Sequence, residues 1–306
     1  IENFFIFRRC SPKKVAMRLQ KLLNCEMKRF FLSLFVCLPF VGECSYFNPK
    51  GGAAEKTEGL VAFWDFSGTF KSRVGGFDME RKGNVKISDG GPISGKCAEF
   101  DGKSYLTLPY SKTGALNVKT NEVTVVAWVN WSGEGIGFVG GMWNEYQDGG
   151  KRQYGLFVSL PYYNGGDQVC GHISKTGKPT PPFPFSIDYS ASPQKVPHGK
   201  WACVAFTYDG KYIRSYFDGK FKARPKELID HTKGFPGYPD GVVQSKNPYY
   251  FPDGIGDNGS DFTIGAVLLK SGMGNFFKGK IGGLAVYNRA LNDSEIAAIA
   301  AEYPLM

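Results

Sequence analysis

Three segments of this chain combine aromatic rings with amide and acidic side chains at close spacing. They read GMWNEYQDGGKRQY at 141–154, LPYYNGGDQVCGH at 160–172 and NPYYFPDGIGDNGSD at 247–261. A flat aromatic ring can cover the apolar face of a sugar, and planar polar groups can bind its hydroxyls. Exposed loops of this composition often carry binding sites. The candidate ligand-binding residues are Trp143, Asn144, Tyr146, Arg152, Tyr162, Tyr163, Asp167, Gln168, His172, Tyr249 and Tyr250.

Trp143 and Tyr146 are the strongest of these candidates, because their segment is short and lies between two predicted strands. We expect both rings to be exposed at the rim of a sheet. The alternative is that the loops fold over the body of the protein and bury their aromatic rings. The sequence leaves both interpretations open.

A calcium site has weaker support. Calcium binds hard oxygen ligands such as carboxylates, amides and backbone carbonyls. The segment DGIGDNGSD supplies Asp253, Asp257 and Asp261 in a composition that would suit the ion. Turns rich in Asp and Gly are commoner without a metal than with one. We therefore expect weak calcium binding or none, and no required cofactor.

Repeated Asp-Gly pairs predict a protein built from antiparallel strands. Three of them, at 101–102, 209–210 and 218–219, adjoin runs rich in Val, Phe, Tyr, Trp and Thr. Tight hairpin turns need positive φ angles, which Gly adopts freely and Asp tolerates. The predicted strands are 59–66, 98–100, 105–108, 123–131, 137–141, 154–159, 201–208, 212–217, 262–266 and 278–288.

Two longer segments, 161–199 and 224–260, resist assignment to strands and are predicted to be loop insertions. The run 123–131 has apolar residues on both alternating faces, so it is predicted to be a central strand covered on both sides. Asn292 and Glu295 form a capping box at the start of a short C-terminal helix. Ile296, Ile299 and Tyr303 would be the apolar stripe of that helix.

The first 58 residues differ from the rest of the chain. Met27-Lys28-Arg29 and the apolar run 30–41 resemble a secretory signal peptide, with a cleavage site before Ser45. We interpret 1–26 as an upstream extension from a misassigned start, 27–44 as the signal peptide and 45–58 as a linker. The net charge of +9 falls to +4 without 1–44, because that stretch carries eight basic and three acidic residues. This balance and the lack of a basic helix give no support for a nucleic-acid partner.

Three cysteines follow the predicted leader: Cys97, Cys170 and Cys203. An odd number cannot all pair, so either one disulfide and a free thiol or three buried thiols would fit. No CxxC occurs, so a zinc or redox site has no support.

The chain resembles the LamG-like, concanavalin A-like lectin/glucanase superfamily of secreted bacterial proteins. The resemblance rests on GLVAFWDFSG, AEFDGKSYLTLP, VTVVAWVNW, GKWACVAFTYDGKYIRSYFDGK, FTIGAV and FFKGKIGGLAVYNRALNDSEI, which follow in this order between 59 and 299. It implies an all-β, two-sheet antiparallel jelly-roll sandwich with a short C-terminal helix, over one domain at 59–303. Trp64, Trp128 and Trp201 fall in these blocks and are predicted to lie in the core.

Catalytic signatures of this superfamily are missing. Retaining glucanases of this fold present two carboxylates about 5 Å apart, usually as ExDxxE, and that motif does not occur. Polysaccharide lyases of the fold use a His/Tyr pair on strands of the concave face, whereas none of the three histidines falls in a predicted strand. Tyr212, Arg214 and Tyr216 share one strand face, most simply as packed rings beside a solvated cation.

The leading hypothesis is a secreted or periplasmic module that binds a glycan, without catalysis, through aromatic-rich loops at the rim of the concave sheet. The second hypothesis is a glycan-active enzyme, hydrolase or lyase, with a non-standard site. The third is an adhesion or structural module with a protein partner. The mature form is predicted to have no membrane span.

Overall fold

Most regular structure in the computed structural model is β-strand. The model describes residues 51–146, 149–161, 165–179, 186, 188–226 and 246–303. The strands are β1 Leu60–Trp64, β2 Glu80–Lys82, β3 Lys86–Gly91, β4 Gly95–Asp101, β5 Tyr105–Leu108, β6 Val123–Trp131, β7 Gly137–Met142, β8 Tyr154–Val158, β9 Gln168–Ile173, β10 Tyr189–Lys195, β11 Trp201–Tyr208, β12 Tyr212–Phe217, β13 Lys220–Phe221, β14 Tyr249–Tyr250, β15 Phe262–Ile264, β16 Val267–Leu269, β17 Gly272–Gly274 and β18 Lys278–Tyr287.

The strands form two large antiparallel sheets. The nine-stranded sheet has the order β13-β12-β11-β6-β18-β4-β3, with β1 paired to β18 and β14 paired to β12. The seven-stranded sheet has the order β10-β9-β8-β7-β15-β5-β2. A separate two-stranded hairpin joins β16 to β17. This architecture confirms the predicted all-β jelly-roll sandwich.

The central strand β6 shows why the sheets pack on both sides. Val123, Val125, Ala127 and Val129 belong to the main core, which also contains Leu156, Val158, Phe262 and Ile264 from the seven-stranded sheet. Val126 and Trp128, on the other face, join a second apolar cluster with Ile296 and Ile299. The strand is buried on both faces, as its continuous apolar pattern predicts.

Two helices cover the outer face of the nine-stranded sheet. Helix α1 spans Ala53–Lys56 and helix α2 spans Asp293–Glu302. In α2, the Asn292 side chain accepts from the Glu295 amide at 3.0 Å, and Glu295 accepts from the Asn292 amide at 2.9 Å. The capping box is therefore present, and it fixes where the helix begins.

Several sequence predictions of the fold need correction. The predicted insertion at 161–199 contains two full strands, β9 and β10, and short β14 lies within 224–260. Both faces of β9 are buried, so it lacks the alternation by which an exposed strand is recognised. Helix α1 lies within the predicted linker, and the Tyr287 hydroxyl donates to the Ala54 carbonyl at 2.8 Å.

Two of the three Asp-Gly turns connect strands within one sheet, and the third connects strands of different sheets. The pairs at 209–210 and 218–219 link neighbouring strands of one sheet, and Gly210 and Gly219 have positive φ angles. The pair at 101–102 instead connects β4 to β5, which lie in different sheets. Trp64 and Trp128 are fully buried, whereas Trp201 is only half-buried.

The three described cysteines are free, and all three are buried. Of the two alternatives left open by the sequence, the structure shows buried thiols. Cys97 donates weakly to the carbonyls of Ser88 and Asp89, and Cys170 lies on the outer face of the seven-stranded sheet.

The two sheets lie close together at Gly171 in β9. A Cβ there would overlap Phe206 Cβ in the facing sheet. The Gly171 amide donates to Ser215 Oγ at 3.1 Å, and the Ser215 and Ser190 hydroxyls are 2.6 Å apart. This close contact leaves no room for a side chain at 171.

We predict that Gly171→Ala destabilises the protein by about 1–3 kcal/mol, the usual range for forcing extra volume into a packed core. Chemical denaturation measures the loss. Gly166→Ala is the matched control, because its Cβ would have only an ordinary contact, 3.8 Å from Pro161 Cα. Equal stability of the two variants would contradict the close approach of the sheets.

Candidate functional site

An open groove lies where the loop after β7 meets the β16–β17 hairpin. Asn144 forms an isolated parallel bridge with Leu268, and the Glu145 amide donates to the Leu268 carbonyl at 2.9 Å. These bonds place Tyr146 beside the hairpin with 40% of its surface exposed. The groove has a volume of about 640 Å³ and is lined by Tyr146, Leu268, Leu269, Lys270 and Gly272.

Tyr146 is supported from behind by a buried ion pair. Arg152 Cζ lies 5.7 Å from the centre of the Tyr146 ring, within cation–π range. Arg152 Nη2 is 3.5 Å from Glu145 Oε2, and Nη1 donates to the Gly177 carbonyl at 2.9 Å. Burial lowers the pKa of Arg152, and the carboxylate of Glu145 opposes this shift. The guanidinium is thus a fixed positive charge under the exposed ring.

Trp143 does not present a platform to a ligand, contrary to the expectation from the sequence. Only 2% of its surface is exposed, and its indole N–H donates to Glu145 Oε1 at 3.1 Å. Its ring lies 4.3 Å from the ring of His172 and 5.8 Å from that of Phe157, between centroids. Trp143 therefore holds Glu145 in place, and the exposed ring of the pair is Tyr146.

The outer face of the seven-stranded sheet is a buried aromatic layer. Phe138, Phe157, Cys170 and Tyr189 lie in it, together with Trp143. His172 lies among these rings, 5.3 Å from Tyr189, and is 3% exposed. Neither of its ring nitrogens has a hydrogen-bond partner among the residues that the structure describes. Burial, followed by the charge of Arg152, holds the pKa of His172 well below its usual value, so the imidazole is neutral.

Two further candidates belong to β9 and not to a loop. His172 and Gln168 are buried residues of this strand, so the expectation that every histidine lies outside the strands is wrong for His172. Asp167, one residue before the strand, is half-buried, forms an ion pair with Lys195 at 3.3 Å and lies 3.3 Å from His198 Nε2. Asn144 is buried behind the groove. Tyr162 and Tyr163 lie outside the described residues.

Tyr249 and Tyr250 form β14 at the edge of the nine-stranded sheet, so they do not join the groove on the other sheet. Tyr250 is 54% exposed, and its ring lies 5.4 Å from that of Tyr212. Arg214 also lies over Tyr212 and forms an ion pair with Asp209 at 2.5 Å. The predicted set Tyr212, Arg214 and Tyr216 is thus engaged locally, and Tyr216 is buried.

The proposed calcium ligands do not converge. Asp257 accepts from Tyr110 and Asn117 at 2.7 Å each and is ion-paired with Lys119. These partners lower the pKa of Asp257 to about 2, and the hydrogen bond from Lys119 is the largest cause. Asp261 accepts from the Tyr110 amide instead. Among the described residues, no group of three or more His, Cys, Asp or Glu is placed to hold a metal ion.

The region 100–237 matches a laminin G-type family model, whose description is the concanavalin A-like lectin/glucanases superfamily. The resemblance inferred from the sequence motifs is confirmed by this match. No curated protein matches the sequence at a significant level.

Several solved structures are similar to this chain. Domain 4 of AbnA, an extracellular GH43 arabinanase from Geobacillus stearothermophilus in complex with arabinotriose, aligns at 20% identity with a TM-score of 0.51, over 79% of this chain and 98% of that domain. The binding domain of botulinum neurotoxin DC in complex with SialylT gives 11% identity and a TM-score of 0.48, over 81% of this chain and 52% of that one. Trypanosoma rangeli sialidase in complex with sialic acid gives 18% identity and a TM-score of 0.46, over 80% of this chain and 33% of that one.

This chain therefore spans nearly all of the arabinanase domain, about half of the neurotoxin chain and a third of the sialidase chain. In the part of the chain that the structure describes, no helix has the length and apolar character of a membrane span.

The sequence reasoning missed the hairpin that forms one wall of the groove. Leu268, Leu269 and Lys270 precede Ser271-Gly272 in the run VLLKSGMG. A Ser-Gly pair between short apolar runs is a turn signal, and it could have predicted this hairpin. Glu145 was also missed as a site residue, although it is the acceptor that joins Trp143 to Arg152.

We expect Trp143→Ala to lower the free energy of unfolding by about 3–5 kcal/mol, as for other buried aromatic truncations. The loss arises because a cavity forms against Phe157 and His172 and because Glu145 loses a donor. Thermal or denaturant unfolding measures the change. A variant as stable as the parent protein would show that Trp143 is not packed as described.

The free energy of unfolding should decrease as the pH is lowered, because His172 is buried and neutral in the folded state. The unfolded imidazole binds a proton below its ordinary pKa of about 6.5, whereas the folded one does not, so acid favours the unfolded state. The expected loss is about 1.4 kcal/mol per pH unit below that point. Denaturation of the parent and His172→Phe between pH 7.5 and 5 should give curves that diverge as pH falls. Parallel curves would show that folded His172 titrates normally.

Proposed function

We propose that this chain is an extracellular module that binds a glycan, without catalysis, in the groove beside Tyr146. The exposed Tyr146 ring at the edge of an open groove is the observation that carries this proposal. A tyrosine offers a rigid apolar face to a sugar ring and a hydroxyl to its polar groups. Arg152 and Glu145 fix the loop, so little ordering is needed when a ligand binds.

Two other observations support this class of ligand. The arabinanase domain, which has the same fold, is in complex with arabinotriose, so oligosaccharides of plant cell walls are the first ligands to test. The groove is open, which suits a long polymer that passes across the surface better than a small enclosed ligand. The signal peptide predicted at 27–44 would deliver the module to polysaccharides outside the cell.

A glycan-active enzyme remains the second candidate, because His172 and Tyr189 lie side by side on the outer sheet face with their rings 5.3 Å apart. The position of His172 in a strand removes one argument against this candidate. Catalysis would still require access of the substrate to an imidazole that is 3% exposed. The binding proposal is favoured because Tyr146 is accessible without any rearrangement.

The test is titration of a fragment beginning at Ser45 against arabinan, other plant and algal polysaccharides and host glycans. Tyr146→Ala should weaken any binding by about fivefold or more, as for a central aromatic contact. Its stability should stay within about 0.5 kcal/mol of the parent, because the residue is exposed. Calorimetry or affinity electrophoresis measures the binding.

Tyr250→Ala is the matched control, since it removes an exposed tyrosine from the other sheet. Equal losses in the two variants, or no loss in Tyr146→Ala, would contradict the assignment of the groove. Release of reducing ends or of an unsaturated product, abolished in His172→Phe, would favour the enzyme instead.

A further inference from the structure

In the described part of the chain, two exposed lysines lie at or near the groove beside Tyr146. Lys270 lines it and is exposed. Lys178 is also exposed and lies against the same loop, where a Cβ added to Gly149 would be 3.2 Å from Lys178 Cε. Neither lysine has an ion-pair partner among the described residues. Their charges are thus available to a ligand.

Arg152 adds a third positive charge from below. It is 2% exposed, and its Nε has no hydrogen-bond partner. Its carboxylate partner, Glu145, lies at 3.5 Å and also accepts from the indole of Trp143. A buried guanidinium with a long ion pair and an unused donor is only partly compensated. Its field reaches the groove through the Tyr146 ring, 5.7 Å away.

The described acidic groups near the groove are each paired with a cation of their own, so none is paired with Lys270 or Lys178. Glu145 is engaged by Arg152 and Trp143. Asp257, in the adjoining segment, is engaged by Lys119, Tyr110 and Asn117. That segment touches the site, because Asn258 Nδ2 donates to the Arg152 carbonyl at 2.6 Å. An anion would therefore enter a field that is positive on balance.

We propose that the ligand of this groove is an acidic glycan, one whose sugars carry carboxylate or sulfate groups. This inference rests on the proposed function and names its ligand class. The Tyr146 ring binds the sugar face, while Lys270 and Lys178 bind the anionic substituents. Contacts between exposed charges are individually weak, about two- to fivefold in affinity each, so selectivity arises from repeated anionic sugars along the polymer.

The experiment compares polymers that share a backbone and differ in charge. Polygalacturonate is set against methyl-esterified homogalacturonan for the carboxylate, and carrageenan against agarose for the sulfate. We expect the charged member of at least one pair to bind ten times more tightly or better. The preference should shrink as salt rises, because the contacts are exposed and screened. Which pair responds identifies the anionic group.

The double variant K178Q/K270Q should lose most of this preference for the charged polymers. The control is K211Q, which removes one positive charge that lies against Tyr212 in the other sheet. If charged and neutral polymers bound equally well, and Tyr146→Ala weakened the binding of both, the ligand would not be an acidic glycan. The proposed function would still stand. Binding of no polymer in the wider panel would overturn both. A loss in K211Q equal to that in K178Q/K270Q would overturn the assignment of the two lysines.

Discussion

Burial on both faces of the central strands is the constraint that shapes this molecule. The inner faces of the two sheets share one apolar core. The outer face of the nine-stranded sheet is covered by Ile296 and Ile299 of helix α2, and the outer face of the seven-stranded sheet carries an aromatic layer that includes Phe138 and Phe157. The strands of the scaffold therefore have little free surface in their middle. In the proposed function, recognition therefore takes place at the edges, where loops and the β16–β17 hairpin meet.

The same constraint explains how an exposed tyrosine can be held rigidly. Tyr146 itself has few neighbours in the groove, but its loop is joined to buried groups through Glu145, Trp143 and Arg152. The loop is closed at its base by the hydrogen bond from the Lys151 amide to the Asn144 carbonyl, at 2.8 Å. Rigidity of the site thus comes from polar contacts beneath the ring. In the proposed complex, a ligand would gain from these contacts because Glu145 and Tyr146 are already held in place.

The sequence predicted the scaffold well and the site only in part. Strand β6, the Asn292 capping box and the turns at 209–210 and 218–219 follow from local patterns, and the structure contains them. Strand β9 was missed because burial on both faces removes the alternation that marks a half-exposed strand. Strand β10 was missed because Pro193 lies within it, and a proline argues against a strand in the sequence. Composition also could not tell which ring of the WNEY run is exposed. That choice depends on the contact of Trp143 with His172, which is 29 positions further along the chain.

The buried cysteines allow the opening of the folded protein to be measured from the rate at which their thiols are alkylated. Burial raises the pKa of the Cys170 thiol to about 12 and raises that of Cys203 even more, so neither forms the reactive thiolate at neutral pH. Cys170 lies under the aromatic layer of the seven-stranded sheet, and Cys203 lies beneath helix α2 on the other side. Alkylation at each sulfur therefore reports how often its own side of the sandwich opens. A comparison of the two alkylation rates distinguishes local opening of one face from global unfolding of the protein.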